Sequence, residues 1–106
     1  MNETSYVYIL GKINDIVINL RQGKDREAYK DINEQMPVIN ELFVDIIRNI
    51  NIFKENGIDV SENIIMMQLE NMIDGLENKD DVKLADTLEY EISETIRAYK
   101  DIIEQI

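Results

Sequence analysis

With 106 residues, 44% of them apolar and 31% charged, the chain has the length and balance of a single folded domain, residues 1–106. Cysteine and histidine are both absent, which excludes disulfides, thiolate metal sites and the commonest general base. A net charge of −11, from 22 acids against 11 bases, argues against nucleic acid and anionic membrane as partners, because both are held through cationic contacts.

The apolar residues recur at helical spacing from end to end. Tyr6, Ile9, Ile13, Ile16 and Leu20, with Leu10 and Val17 beside them, predict a first helix over about residues 3–22. Gly23 suits the left-handed residue that closes a helix, and Asp25 reads as the cap of the next. The second helix is predicted over about 26–56, with Ala28, Ile32, Ile39, Leu42, Phe43, Ile46, Ile50 and Phe53 on one face and Gly57 as its stop. Pro37 lies inside it. Proline lacks an amide donor and crowds the carbonyl of Asn33, so a kink is expected, with the stripe in phase on both sides. Gln35 is placed to bond backbone groups that such a kink frees.

Asp59 and Glu62 have capping-box spacing and open a third helix, about 60–77, whose stripe is Ile65, Met66, Leu69, Met72, Ile73 and Leu76. After Asn78-Lys79-Asp80, with Asp80 or Asp81 as cap, a fourth helix over about 81–105 aligns Ala85, Leu88, Ile92, Ile96, Tyr99, Ile103 and Ile106. Short links turn successive helices antiparallel. The expected fold is therefore all-α: an antiparallel up-down-up-down four-helix bundle with a Pro-kinked second helix.

Catalytic chemistry is poorly provided for. Ser5, Ser61 and Ser93 have no histidine to activate them, and Gly11-Lys12 sits mid-helix without the rest of a phosphate loop. An all-carboxylate magnesium site would draw on Glu91 with Glu94, Asp86 with Glu89, or Asp101 with Glu104, but these pairs avoid the centre of the fourth stripe. A metal-carboxylate hydrolase is thus a remote alternative; no enzyme, no cofactor and no metal are expected. The N-terminus has no basic stretch or small-residue cleavage site, and no apolar run reaches the roughly 18 residues of a membrane span. A cytoplasmic location is expected.

The acidity is uneven. Residues 59–94 hold eleven acids against Lys79 and Lys83, a net of −9, while the first 58 residues carry a net of −2. Several apolar residues also fall off the core stripes: Val7 and Ile18 in the first helix, Val44 and Ile52 in the second, Val60, Ile64 and Met67 in the third, and Tyr90 in the fourth. The run IIMMQL surrounds the third helix with apolar groups inside the acidic segment, and methionine serves both core filling and adaptable binding surfaces. A candidate partner-binding surface follows: Val60, Ile64, Met67 and Tyr90 for contact area, Glu89, Glu91 and Glu94 to attract a basic partner.

The segment LADTLEYEI, Leu84 to Ile92, preceded by LENKDDV, resembles a pattern in small uncharacterised helical proteins of Gram-positive bacteria, in which Leu-Ala-Asp-x-Leu-Glu-Tyr-Glu opens the final helix. This chain departs from that pattern at Thr87 and Ser93, where leucine and often proline are expected. The likeness implies a fold and no site. The first hairpin, a helix of about twenty residues, a Gly-x-Asp turn and a longer helix, is similar to that of flagellar export chaperones, and this implies binding of an amphipathic segment of an export substrate. Taken together, the expectation is a non-catalytic protein-interaction module, a small acidic chaperone-like adaptor for a helical or basic segment. The alternative is a structural homo-oligomer, such as a homodimer, that buries the same stripe against its own copy.

Overall fold

The computed structural model describes residues 3–105, with side chains from Ser5 onward. The described residues form five helices and no strand. They are α1 (Glu3–Arg21), α2 (Asp25–Arg48), the short α3 (Asn51–Glu55), α4 (Glu62–Glu77) and a last helix, α5. Helix α5 begins as Asp81–Thr87, passes unbroken through a π-helical turn, Leu88–Ile92, and continues as Ser93–Gln105.

The helix ends are set by local chemistry. Gly23 takes φ 73°, a left-handed conformation cheap only for glycine, and this lets Lys24 N–H return to the Asn19 carbonyl at 2.8 Å. Helix α2 then starts at once, with Lys24 in the cap position and Asp25 already in its first turn. Asp25 is therefore an acid near the positive helix end rather than the cap. Asp80 does cap α5, accepting Lys83 N–H at 3.1 Å. For α4 the cap is Ser61, whose Oγ accepts Ile64 N–H at 3.3 Å, in place of the Asp59–Glu62 box. Asparagine closes three helices: Asn49, Asn56 and Asn78 each donate a side-chain N–H to the carbonyl four residues back, those of Asp45, Ile52 and Asp74.

Pro37 does not interrupt α2, which runs helical from Asp25 to Arg48. The expected single helix to Asn56 instead breaks at Asn49–Ile50, where the Asn49 amide takes both the Asp45 carbonyl (2.9 Å) and the Tyr99 hydroxyl (3.1 Å). A side chain that competes for its own helix's carbonyl ends that helix. The α3 turn beyond it carries Phe53 inward.

Side-chain contacts fix the helix directions. Tyr6 meets Tyr99 edge-on at 6.3 Å while Arg21 reaches Asp86 and Glu89, so α1 and α5 run antiparallel. Gly75 against Leu84, Asn71 against Glu91 and Gln68 against Thr95 give the same sense for α4 and α5. Helix α1 packs along α2 and along the whole of α5, α4 packs on α5 and more lightly on α2, and α3 touches the last part of α5.

One apolar core joins the four long helices and α3. It contains the expected first and second stripes, from Tyr6 to Leu20 and from Ala28 to Phe53, with Ile50 half-buried at its edge. The fourth stripe is buried through Tyr99; Ile102 turns in further than Ile103, and Ile106 lies outside the described residues. The third stripe is narrower than expected. Ile65 and Met72 are fully buried, but Met66 and Ile73 are exposed. Each follows a buried residue by one position, about 100° round the helix, and α4's light contact with α2 leaves that flank uncovered.

Candidate functional site

The seven residues singled out for partner binding do not form one surface. The π-helical turn divides them. Glu89, Tyr90 and Glu94 face the α1 side, where they line a groove with Leu10, Asn14, Val17 and Arg97. Glu91 turns the other way and accepts Asn71 N–H across the α4–α5 seam at 3.2 Å. Ile64 and Met67 are exposed on α4, Met67 to 58%. Val60 is half-buried against the core beside the Gly57–Ile58 turn, immediately ahead of the extended cap residue Ser61. It contributes packing rather than a free contact group.

The acids differ in their freedom. Glu89 and Asp86 share Arg21, at 3.2 and 3.0 Å, and the two carboxylates hold that guanidinium above its usual range. Glu89 also holds the Tyr90 phenol up through a hydrogen bond. Glu94 pairs with Arg97 at 2.7 Å, and Lys100 pairs with Glu104 at 2.8 Å. Every carboxylate pair considered as a metal site thus includes a group bonded to a cation or an amide. Among the described residues no three acids converge as metal ligands.

Helix α4 is arranged differently. It carries Glu62, Glu70, Asp74 and Glu77 and no lysine or arginine of its own, and among the described residues only Asp74 is met by a base from outside, Lys83. Its exposed apolar groups are Ile64, Met66, Met67 and Ile73. Residues 62, 66, 70, 73 and 77 fall on one line of the helix surface, so Met66 and Ile73 alternate with Glu62, Glu70 and Glu77. Met67 lies on the same broad arc, whereas Ile64, nine residues from Ile73, lies on the opposite side of the helix. Chemically this arc can hold an apolar helix face through the methionine and isoleucine side chains while the carboxylates meet cations at its rim.

The seam behind this surface is polar as well as apolar. Thr95 Oγ1 donates to Gln68 Oε1 at 2.6 Å, and no buried side-chain nitrogen or oxygen among the described residues is left without a partner. Sequence reasoning passed over Gln68, Asn71 and Thr95, which fix α4 on α5. It also passed over the π-helical turn, which had a signal: Leu84, Leu88, Ile92 and Ile96 are all four residues apart. Uninterrupted four-residue steps drift round an α-helix by about 40° each, and a wider turn cancels part of that drift.

At the other end, the Tyr29 hydroxyl donates to Asp81 at 2.6 Å, and Asp81 raises its neighbour Asp25 through a shared hydrogen bond. Burial first, and then the bond to Asp81, pushes Tyr29 up; burial also raises Tyr6 and Tyr99. For phenols raised in the folded state, stability is full below the ordinary value of 10 and falls as the pH climbs past it, because the unfolded chain ionises first. The urea midpoint is expected to be flat through neutral pH and to drop above pH about 10. Tyr29→Phe should lower the neutral midpoint, by loss of the bond to Asp81, and make the alkaline decline shallower; an unchanged decline would remove Tyr29 from this effect.

Comparison with known proteins adds one relation. The profile of a family described as "Domain of unknown function (DUF8042)" matches residues 8–102. No curated protein and no solved structure matches the chain. Among the described residues no helix is long and apolar enough to cross a membrane.

Proposed function

The chain belongs to the DUF8042 family, and from its surfaces we propose that it is a non-catalytic protein-interaction module that receives a basic, amphipathic helical segment along α4. One observation carries the reading: α4 exposes Met66, Met67 and Ile73 on one arc with Glu62, Glu70 and Glu77, with no cation in the helix itself. A segment with leucines on one face and lysines on its margins complements that pattern in both respects. The acids first assigned to attraction, Glu89 and Glu94, are engaged by Arg21 and Arg97, so the charge that draws the partner is α4's own.

The same reading takes the four long helices as an up-down-up-down bundle, with α3 as an appendage of α2, and the protein as a small acidic adaptor of cytoplasmic type. The neighbour relations α1–α2, α2–α4, α4–α5 and α5–α1 support the bundle.

The test is a titration with a designed lysine-leucine amphipathic helical peptide, beside a scrambled peptide of identical composition. Binding of the amphipathic peptide alone is expected, weakening with salt, since charges at an exposed rim are screened. Met67→Glu with Ile73→Glu should weaken it at least tenfold. Equal binding of the scrambled peptide, or indifference to the double substitution, would refute the assignment to α4.

A further inference from the structure

A second face remains after α4 is assigned, and it differs in kind. On α1, Val7, Gly11, Asn14 and Ile18 are exposed and follow one another at four-, three- and four-residue steps, forming a single stripe. Val7 is 56% exposed and Ile18 44%. Tyr90, 63% exposed, stands beside the Ile18 end of this stripe, on the part of α5 that Arg21 ties to α1. Gly11 is the anomaly. A glycine in mid-helix is less stable than alanine, and a Cβ at this position would meet nothing within 4 Å. The chain itself gives no reason for a glycine there. A second helix lying close across it does, because without a Cβ two helix axes can approach to about 8 Å.

We infer that α1 is the interface between two copies of this chain, packed antiparallel about a two-fold axis that passes between Gly11 and Asn14. The stripe is self-complementary about that point. The axis lays Val7 of each copy over Ile18 of the other, with Tyr90 alongside, and Gly11 over Asn14. A two-fold pairing is isologous, so each flank of the stripe faces the same flank of the second copy with its direction reversed. On the flank away from α5, Lys12 comes beside Asp15 of the other copy, and Tyr8, whose ring already lies 5.9 Å from the Lys12 ammonium, covers the pair. On the α5 flank, Glu94 and Arg97, 2.7 Å apart within the chain, exchange partners with Arg97 and Glu94 of the second copy. Both flanks therefore meet opposite charge. Helix α4 cannot pair in this way, because its four acids and absent cations would face their own kind. Self-association thus selects α1 and leaves α4 free for another molecule.

The experiment is sedimentation equilibrium of the full chain across micromolar to millimolar concentrations. Twice the chain mass is expected at the upper end. Gly11→Leu, which fills open space in the single copy, should keep or raise thermal stability yet weaken dimerisation at least tenfold, and Val7→Glu should do the same through charge. Lys12→Asp alone and Asp15→Lys alone should each weaken the dimer, and the two together should restore it. A monomer at all concentrations overturns the proposal. So does a dimer indifferent to Gly11→Leu and Val7→Glu, or one abolished by Met67→Glu instead, which would place the copy on α4. Peptide titration of the Gly11→Leu chain keeps the two interfaces separate: loss of the dimer leaves peptide binding intact if both assignments hold.

Discussion

Phe53→Ala is expected to lower the free energy of unfolding by about 3–5 kcal/mol, measured by urea denaturation. Phe53 is 1% exposed and belongs to α3, a helix of only five residues. A helix this short has no stability of its own, so packing alone holds it. Its ring stacks on Tyr99 at 6.0 Å and 28°, and Tyr99 in turn meets Tyr6 edge-on at 6.3 Å. Truncation therefore removes buried area, leaves a cavity, and forfeits an aromatic pair of about 0.5–1.5 kcal/mol. The loss falls where α1, α3 and α5 meet, and Phe53→Leu should recover much of it. A midpoint that does not move would mean that α3 packs as a satellite and contributes nothing to the cooperative unit.

Gly75→Leu is expected to cost about 3 kcal/mol or more, with Gly75→Ala between it and the parent. A Cβ on residue 75 would lie 3.1 Å from both Cα and N of Leu84. These are backbone atoms, which cannot rotate aside, so α4 and α5 would have to separate. For alanine the gain in helix propensity, up to about 1 kcal/mol, offsets part of that cost; for leucine nothing does. Separation should also loosen the Asn71–Glu91 and Gln68–Thr95 bonds farther along the seam, detectable as faster amide exchange in α4. A stabilised alanine variant together with an unaffected leucine variant would show that the seam yields freely.

Much of the fold was legible because burial is periodic. The stripes of α1 and α2 occupy the core almost residue for residue, and Gly23, Gly57, Asn78 and Asp80 mark turns by backbone chemistry that depends on few neighbours. The failures have physical reasons. Pro37 leaves α2 in one piece, as the in-phase stripe indicates, but Asn49, a residue able to bond its own i−4 carbonyl, ends α2 where spacing alone continues it to Asn56. Met66 and Ile73 belong to an apolar stripe by spacing, but exposure depends on how many helices flank α4, which spacing along one helix does not encode.

The candidate surface was legible only in part. Ile64, Met67 and Tyr90 are exposed as their off-stripe positions suggested, whereas Val60 is folded inward. The engagement of Glu89 and Glu94 depends on Arg21, 68 residues away from Glu89, and on Arg97, one turn from Glu94. The first is a tertiary contact with no sequence signature; the second was available as an i,i+3 pair.

The π-helical turn of α5 bears on how long this helix is allowed to be. Such a turn accommodates one residue more than an α-helix would over the same span. The surplus lies in Leu88–Ile92, and Tyr90, at its centre, is among the most exposed groups there. A version of α5 shorter by one residue at this place becomes plain α-helix and still presents Leu84 and Ile96 to the core. The same deletion anywhere else in α5 would turn everything beyond it by about 100°. Helix length is thus adjustable at a single address, and that address sets how many side chains stand between α1 and α4.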